Sequence, residues 1–348
     1  MKTTGKITIN DIALAAGVSK ATVSRYINGQ THLMSDKTRD RIRAVIEMSN
    51  YRPSDIARNL KRKNANLIGV TISDITSPFS SALIVGINEC LEKNEYTPIF
   101  VNCNDNLEKE KQAIESLLAK GVSGLLVNTT SCDNNFLIST ACSGMPVVLL
   151  DRDIRNYNFD IVTSKHKEAF YELVSHLKEQ GYNRPVLFTQ CWENNSARYL
   201  RREGFIDAVT EIFGYTPSED IYIVSRKLNL SADDAIAKML KSLKPGDKPA
   251  IVGINSVTTI RAYKALIKYE LRIPEDIGLC GPEDWGWEND MNWPNLLVPH
   301  VTTTVIPSID IGYQAAELLL KKIEEPKRPV ENNLLTCSLK VRSSTCLG

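Results

Sequence analysis

From Leu67 onward the chain alternates between short apolar, β-rich runs and longer amphipathic stretches. LIGVTI precedes a helical segment from Ser80 to Lys93, YTPIFVNC precedes Leu107 to Lys120, GLLVNT precedes Phe136 to Cys142, and PVVLLD follows. The pattern restarts at DIVTS with Lys165 to Gln180. RPVLFT then leads to Arg198 to Ile212, IYIVS to Ala232 to Leu243, PAIVGI to Thr258 to Tyr269, and the series closes on DIGLCG. Strands that are apolar at nearly every position are buried on both faces, and strand–helix alternation lays them parallel with helices on either side. Two series of similar length specify an α/β body of two doubly wound parallel-sheet lobes. Ligands of such sheets bind beyond the carboxyl ends of the strands. The space between the lobes is therefore the expected pocket. The residues to weigh follow the strands: Ser73, Asp74, Ser77 and Phe79, then Asp151 and Arg152, Trp192 and Asn195, Asn255, and the run PEDWGWEN.

The first sixty residues follow another grammar. In NDIALAAGVSKATVSRYIN (10–28), Ile12, Ala13 and Ala16 make one apolar helical face, and Gly17 supplies a turn. Ser19 is placed to cap a second helix on which Val23 and Ile27 face inward, leaving Lys20, Ala21, Ser24 and Arg25 outside. Ser35 caps a third helix, Asp36 to Ser49, with a stripe of Ile42, Val45, Ile46 and Met48. The result is an all-α helix-turn-helix head. Pro53 breaks it, and SDIARNLKR (54–62) is a marginal, basic helix by itself.

Charge separates head from body. Residues 1–63 hold 13 Lys/Arg against 5 Asp/Glu, a net of +8; the remainder holds 29 against 36, a net of −7. A basic head on an acidic body suits a polyanion-binding module. A short helix with small, hydroxyl and basic residues outward fits the DNA major groove, although a solvated helical hairpin would carry the same pattern.

Other classes find little support. No apolar run of membrane-spanning length occurs, and MKTTGKITIN has no apolar signal region, so a cytoplasmic chain is expected. Eight scattered cysteines without CxxC and four histidines without ligand spacing give no expectation of a metal, cofactor or disulfide. GxxxxGK[ST], GxSxG and HExxH are missing, and enzymatic activity is not expected.

The run DIALAAGVSKATVSRYIN resembles the headpiece of the lac repressor (LacI) family of transcription regulators. The resemblance continues through MSDKTRDRI, NYRPSDIARNL, LIGVTISDITSPF and VTTTVIPSIDIGYQAAELLL, covering almost the whole chain. It implies a periplasmic-binding-protein type I fold whose chain crosses between the lobes three times. Crossings are placed near 160–163, 298–303 and 326–330. The expected domains are a head (1–53), a hinge helix and linker (54–64), an N-terminal lobe (65–161 plus 301–327) and a C-terminal lobe (162–300 plus 328–348). The resemblance implies a homodimer on pseudo-palindromic double-stranded operator DNA. Lys20, Ala21 and Arg25 would read bases, Ser19, Thr22, Ser24 and Asn28 would hold phosphates, and Leu60 of the hinge helix would wedge into the minor groove.

The effector set expected between the lobes is Asp74, Phe79, Asp151, Trp192, Arg201, Asn255, Glu283, Asp284 and Trp285. Arg201 and Asn255 match family effector-binding positions; Arg198 and Arg202 rival the former. Gly281-Pro282-Glu283-Asp284 departs from the family's usual aspartate pair by placing Glu283 first, which leaves the carboxylate role open. The Asp-Trp-Gly-Trp run resembles regulators of hexuronate and ketodeoxygluconate use. The effector class implied is a sugar or sugar acid such as 2-keto-3-deoxygluconate. A global regulator answering to a phosphorylated protein coregulator is the alternative within the family, and a sugar-binding transport protein the alternative outside it. The tail SLKVRSSTCLG has no heptad leucines, so lac repressor's tetramer-forming helix is not expected.

Overall fold

The structure is a computed structural model that describes residues 9–27, 31, 34–49, 66–225, 228–284 and 292–347. It divides into two compact units, residues 1–65 and 66–348.

The first unit packs α1 (Ile9–Ala15), α2 (Lys20–Ile27) and α3 (Asp36–Ser49) around Ile12, Ala13, Ala16, Val23 and Ile42. Gly17 takes φ +59°, as its turn requires. Val45 and Ile46 join this core in part, whereas Met48 is 88% exposed. Met48 lies six residues beyond Ile42, about 240° around the helix, so it falls off the stripe.

In the second unit, β1 (Leu67–Ile72), β2 (Thr97–Asn102), β3 (Gly124–Val127), β4 (Val147–Leu150), β5 (Asp160–Ser164) and β11 (Asn332–Leu335) form one parallel sheet, ordered β11-β5-β4-β3-β1-β2. The second sheet is ordered β12-β10-β9-β8-β6-β7. It comprises β6 (Arg184–Thr189), β7 (Ile221–Ile223), β8 (Pro249–Gly253), β9 (Gly278–Asp284), β10 (Thr302–Val305) and an antiparallel edge strand, β12 (Ser338–Lys340). Helices flank the sheets: α4 (Pro78–Lys93), α5 (Leu107–Ala119), α6 (Asn135–Cys142) and α12 (Ser308–Glu324) on the first, α7 (His166–Glu179), α8 (Ser196–Phe213), α9 (Ala232–Ser242), α10 (Ser256–Lys268) and the short α11 (Trp293–Leu296) on the second. The fold is thus the expected helix-turn-helix head followed by two doubly wound lobes.

The crossings fall later than expected, by one residue at the first, two at the second and at least five at the third, because the ladders keep all of β5 and β11 in the first sheet and β10 in the second. All of β5 pairs within the first sheet, so the chain first crosses after Ser164. It returns after β10, which is held to β9 through Thr302 opposite Cys280. It crosses last between β11 and β12, since Asn332 pairs with Ile161. Buried Asp160 anchors this arrangement, pairing with Lys322 and accepting from the Glu331 amide at 2.9 Å. Helices α4 and α12 meet backbone to backbone: a Cβ on Gly86 would lie 1.9 Å from the Ile309 carbonyl oxygen, and one on Gly312 would lie 2.2 Å from that of Leu83.

Candidate functional site

On the head, Ser19 caps α2 as expected: its Oγ accepts from the Thr22 amide at 3.1 Å and lies 2.9 Å from the Thr22 hydroxyl. Arg41 Nη2 of α3 donates to the Gly17 carbonyl at 3.1 Å, fixing the turn against the third helix. Buried Val23 turns the opposite face outward, leaving Lys20, Ala21 and Arg25 exposed and Thr22 and Ser24 half-buried. A cationic, small-residue face at the positive end of a helix is suited to phosphates and base edges. Asn28 and Leu60 lie outside the described residues, as does the Ile27 side chain.

Between the lobes is a cavity of about 250 Å³. Six of the expected effector residues line it: Asp74, Phe79, Asp151, Arg201, Asn255 and Glu283. Asp74, Asp151 and Asn255 follow strands by one or two residues, Glu283 lies at the end of β9, and Phe79 and Arg201 stand near the starts of α4 and α8. Ser73 and Asp74 follow β1, and the Ser73 hydroxyl donates to Asn128 Oδ1 at 2.5 Å. Asn255 follows β8 and caps α10, its Oδ1 accepting from the Thr258 amide at 2.9 Å, while its Nδ2 donates to Gln190 Oε1 at 3.0 Å. Asn195 caps α8 in the same way.

Glu283 owes its place to a bulge. Pro282 stands opposite Thr304 and Asp284 opposite Val305, so Glu283 is the extra residue of β9, at φ +71°. The bulge aims Glu283 into the cleft and its neighbour away from it. Asp284 is consequently buried elsewhere: it pairs with Arg342 at 2.6 Å and accepts from the Thr303 hydroxyl at 3.0 Å. It holds the C-terminal segment, not the cavity. Trp192 also stays off the cavity wall, with the Arg202 guanidinium 4.7 Å over its ring. Trp285 lies outside the described residues.

Asp151, at φ +64°, begins a buried polar chain that runs from one lobe to the other. Its Oδ1 lies 3.0 Å from His166 Nε2. Arg201 Nε donates to His166 Nδ1 at 3.3 Å, so Nε2 carries the proton toward Asp151. Arg201 Nη1 in turn donates to Glu283 Oε1 at 2.8 Å and the Ile254 carbonyl at 3.0 Å. Glu283 Oε2 accepts from the amide and hydroxyl of Ser256. Burial pushes the Asp151 carboxyl up, but His166, Arg201 and Arg152 outweigh it and hold it below its ordinary value. His166 sits at the start of α7, immediately after the first crossing. Three non-glycine residues at positive φ line the cavity, Asp105 and Asp151 from the first lobe and Glu283 from the second, and such strain is characteristic of functional sites.

His166, Gln190, Asp105 and Arg261 were not singled out from the sequence. A histidine at a lobe crossing was the only available signal for the first. The lobes also touch at the rim: the Cys132 thiol donates to the Glu193 carbonyl at 3.3 Å, Arg155 Nη2 to the same carbonyl at 2.8 Å, and the Asp153 amide to the Ser196 hydroxyl at 2.7 Å.

Comparison with known proteins matches residues 8–54 to the profile of bacterial regulatory proteins of the lacI family. Residues 65–343 match that of periplasmic binding proteins and the sugar binding domain of the LacI family. The chain is 33% identical to the transcriptional regulator KdgR of Bacillus subtilis over 345 residues, 99% of each chain. It is 30% identical to the regulator PtxS of Pseudomonas aeruginosa over 341 residues, 98% of this chain and 96% of that one. Among solved structures, the lac repressor dimer bound to operator and an anti-inducer superposes with a TM-score of 0.81 at 25% identity, covering 99% of this chain and all of the other.

Proposed function

The chain belongs to the LacI family of bacterial regulatory proteins and is a DNA-binding transcriptional regulator, and from that premise we propose that it acts as a homodimeric repressor of carbohydrate-use genes whose operator affinity is set by a sugar acid bound between its lobes. The observation that carries the effector reading is the arginine-bearing interlobe cavity, crossed by the Asp151–His166–Arg201–Glu283 chain. A ligand touching both walls favours one arrangement of the lobes, and only such a preference can shift the DNA-bound population. The likeness to KdgR and PtxS supports a sugar acid of the 2-keto-3-deoxygluconate kind.

On the DNA side, Lys20, Ala21 and Arg25 read base edges in the major groove, with Arg25 able to bridge O6 and N7 of a guanine. Ser19, Thr22, Ser24 and Asn28 set register on phosphates, and Leu60 wedges into the minor groove. Two heads read a pseudo-palindrome. No helix among the described residues is long and apolar enough to cross a membrane, in keeping with a cytoplasmic regulator, and the reading assigns the protein no catalytic step.

Titration of operator-bound protein with sugar acids tests the reading. Wild-type protein changes its operator affinity, and Arg201→Ala does not respond. Equal responses in both remove Arg201 from the effector site.

A further inference from the structure

Arg152 and Arg198 approach the cleft from different lobes. Arg152 follows β4 in the first lobe, and Arg198 stands in the first turn of α8 in the second. Both line the cavity of about 250 Å³ and the adjoining outer cavity of about 460 Å³. Arg152 Nη1 donates to the Thr129 carbonyl at 3.0 Å, and its contact with Asp105 is long, 3.4 Å. Arg198 has no carboxylate within 4.0 Å among the described residues; its guanidinium makes one bond, from Nη1 to the Cys191 carbonyl at 3.3 Å. Burial, with Arg152 and Arg201 close by, pulls that guanidinium down to about 10. Arg201 is differently placed: its Nη1 and Nε are committed to Glu283, Ile254 and His166. Arg201 shapes the floor, and Arg198 stands on the wall without an ion pair within 4.0 Å among the described residues, Asp105 and Glu283 acting on it only from farther away.

Two guanidinium groups facing one another across a gap repel, and the repulsion grows as the gap closes. An anion between them reverses the sign, because each lobe is then drawn to the shared charge. The first turn of α8, from Asn195 to Arg198, lines the same cavity, and the positive end of its dipole adds to the attraction. We propose that the effector carries a carboxylate that seats between Arg152 and Arg198, and that this anion closes the lobes by converting a cation–cation repulsion into two charge-assisted contacts. The inference rests on the cleft being the effector site. A single carboxylate fits better than a phosphate: Asp74, Asp105, Asp151 and Glu283 share the inner cavity, and a dianion meets twice the repulsion from them.

The test is calorimetry on the full-length protein with gluconate and 2-keto-3-deoxygluconate as acids, glucose and sorbitol as neutral counterparts, and glucose 6-phosphate as the dianion. The acids bind about 10- to 100-fold more tightly than the neutral polyols, and their affinity falls as salt is raised. Arg198→Gln loses about 10- to 100-fold for the acids and little for the polyols, and Arg198→Lys recovers part of the loss. Small-angle scattering shows the wild-type protein contracting with acid alone. Polyols binding as tightly as acids in the wild type, tighter binding of the phosphate, no binding of either acid at millimolar concentration, or wild-type acid affinity in Arg198→Gln each overturn the proposal. Operator titrations with the same compounds separate the two readings. A neutral sugar that shifts operator affinity leaves the effector cleft standing and removes the anion clamp. An acid that binds with the expected salt dependence but leaves operator affinity unchanged does the reverse.

Discussion

Replacing Arg201 by alanine does more than remove a ligand contact. Arg201 is 4% exposed and Glu283 9%, and their 2.8 Å contact is a buried ion pair. Without the guanidinium, Glu283 Oε1 loses its partner while Oε2 keeps only Ser256. Breaking one side of a buried pair costs about 3–5 kcal/mol, since the remaining charge is left desolvated. The Ile254 carbonyl, which also accepts from Arg201, adds about 1 kcal/mol. Neutralising the orphan should return part of this, so Arg201→Ala with Glu283→Gln should be more stable than Arg201→Ala by about 1.5–3 kcal/mol. All four tryptophans lie beyond residue 190, so fluorescence during urea unfolding follows the two-lobed unit. A cost under about 1 kcal/mol for Arg201→Ala, or additivity of the two substitutions within about 0.5 kcal/mol, refutes the buried-pair account.

Three further outcomes follow from the same structure. Gly86→Ala should destabilise the first lobe by about 1–3 kcal/mol or more, because its methyl would collide with the Ile309 carbonyl and force α4 from α12; an unchanged urea midpoint would contradict that packing. His176 is buried, 2.8 Å from the Thr345 hydroxyl, and burial lowers its pKa below the ordinary 6.5. The unfolded chain therefore takes up the proton first, stability falls as pH drops through about 6.5, by at most about 1.4 kcal/mol per pH unit, and His176→Gln should flatten that slope in melts between pH 7.5 and 5.5. Arg25→Ala should weaken specific DNA binding by about 1–3 kcal/mol in a mobility-shift titration while leaving non-specific binding nearly intact; equal loss on both would move Arg25 to the phosphate contacts.

Architecture was legible because burial leaves a strong pattern. Strands β3, β4 and β8 are apolar throughout, and each is buried throughout. The head was equally plain, since Gly17, Ser19 and Ser35 punctuate it at fixed spacing. What escaped was geometry that depends on partners. The crossings were misjudged because β10 and β11 are assigned by which neighbour they hydrogen-bond, which composition does not encode. Asp284 looked equivalent to Glu283 because the only hint of the bulge between them is the Gly281-Pro282 pair just before it, which marks an irregular strand but not which of the two carboxylates turns into the cleft. Trp192 read as a pocket aromatic, yet Arg202, ten residues further along the chain, covers its ring. His166 carries no local motif; its meaning comes only when Asp151 and Arg201 are brought to its two ring nitrogens.

The central claim is that occupancy of the cleft sets DNA affinity. Its most direct test is fluorescence anisotropy on a duplex selected from a random pool by the purified protein, titrated with and without saturating 2-keto-3-deoxygluconate. The account predicts a change in operator affinity of about 5- to 150-fold in the wild type. Calorimetric proof that the acid is bound, with an operator affinity unchanged by it, would contradict the account.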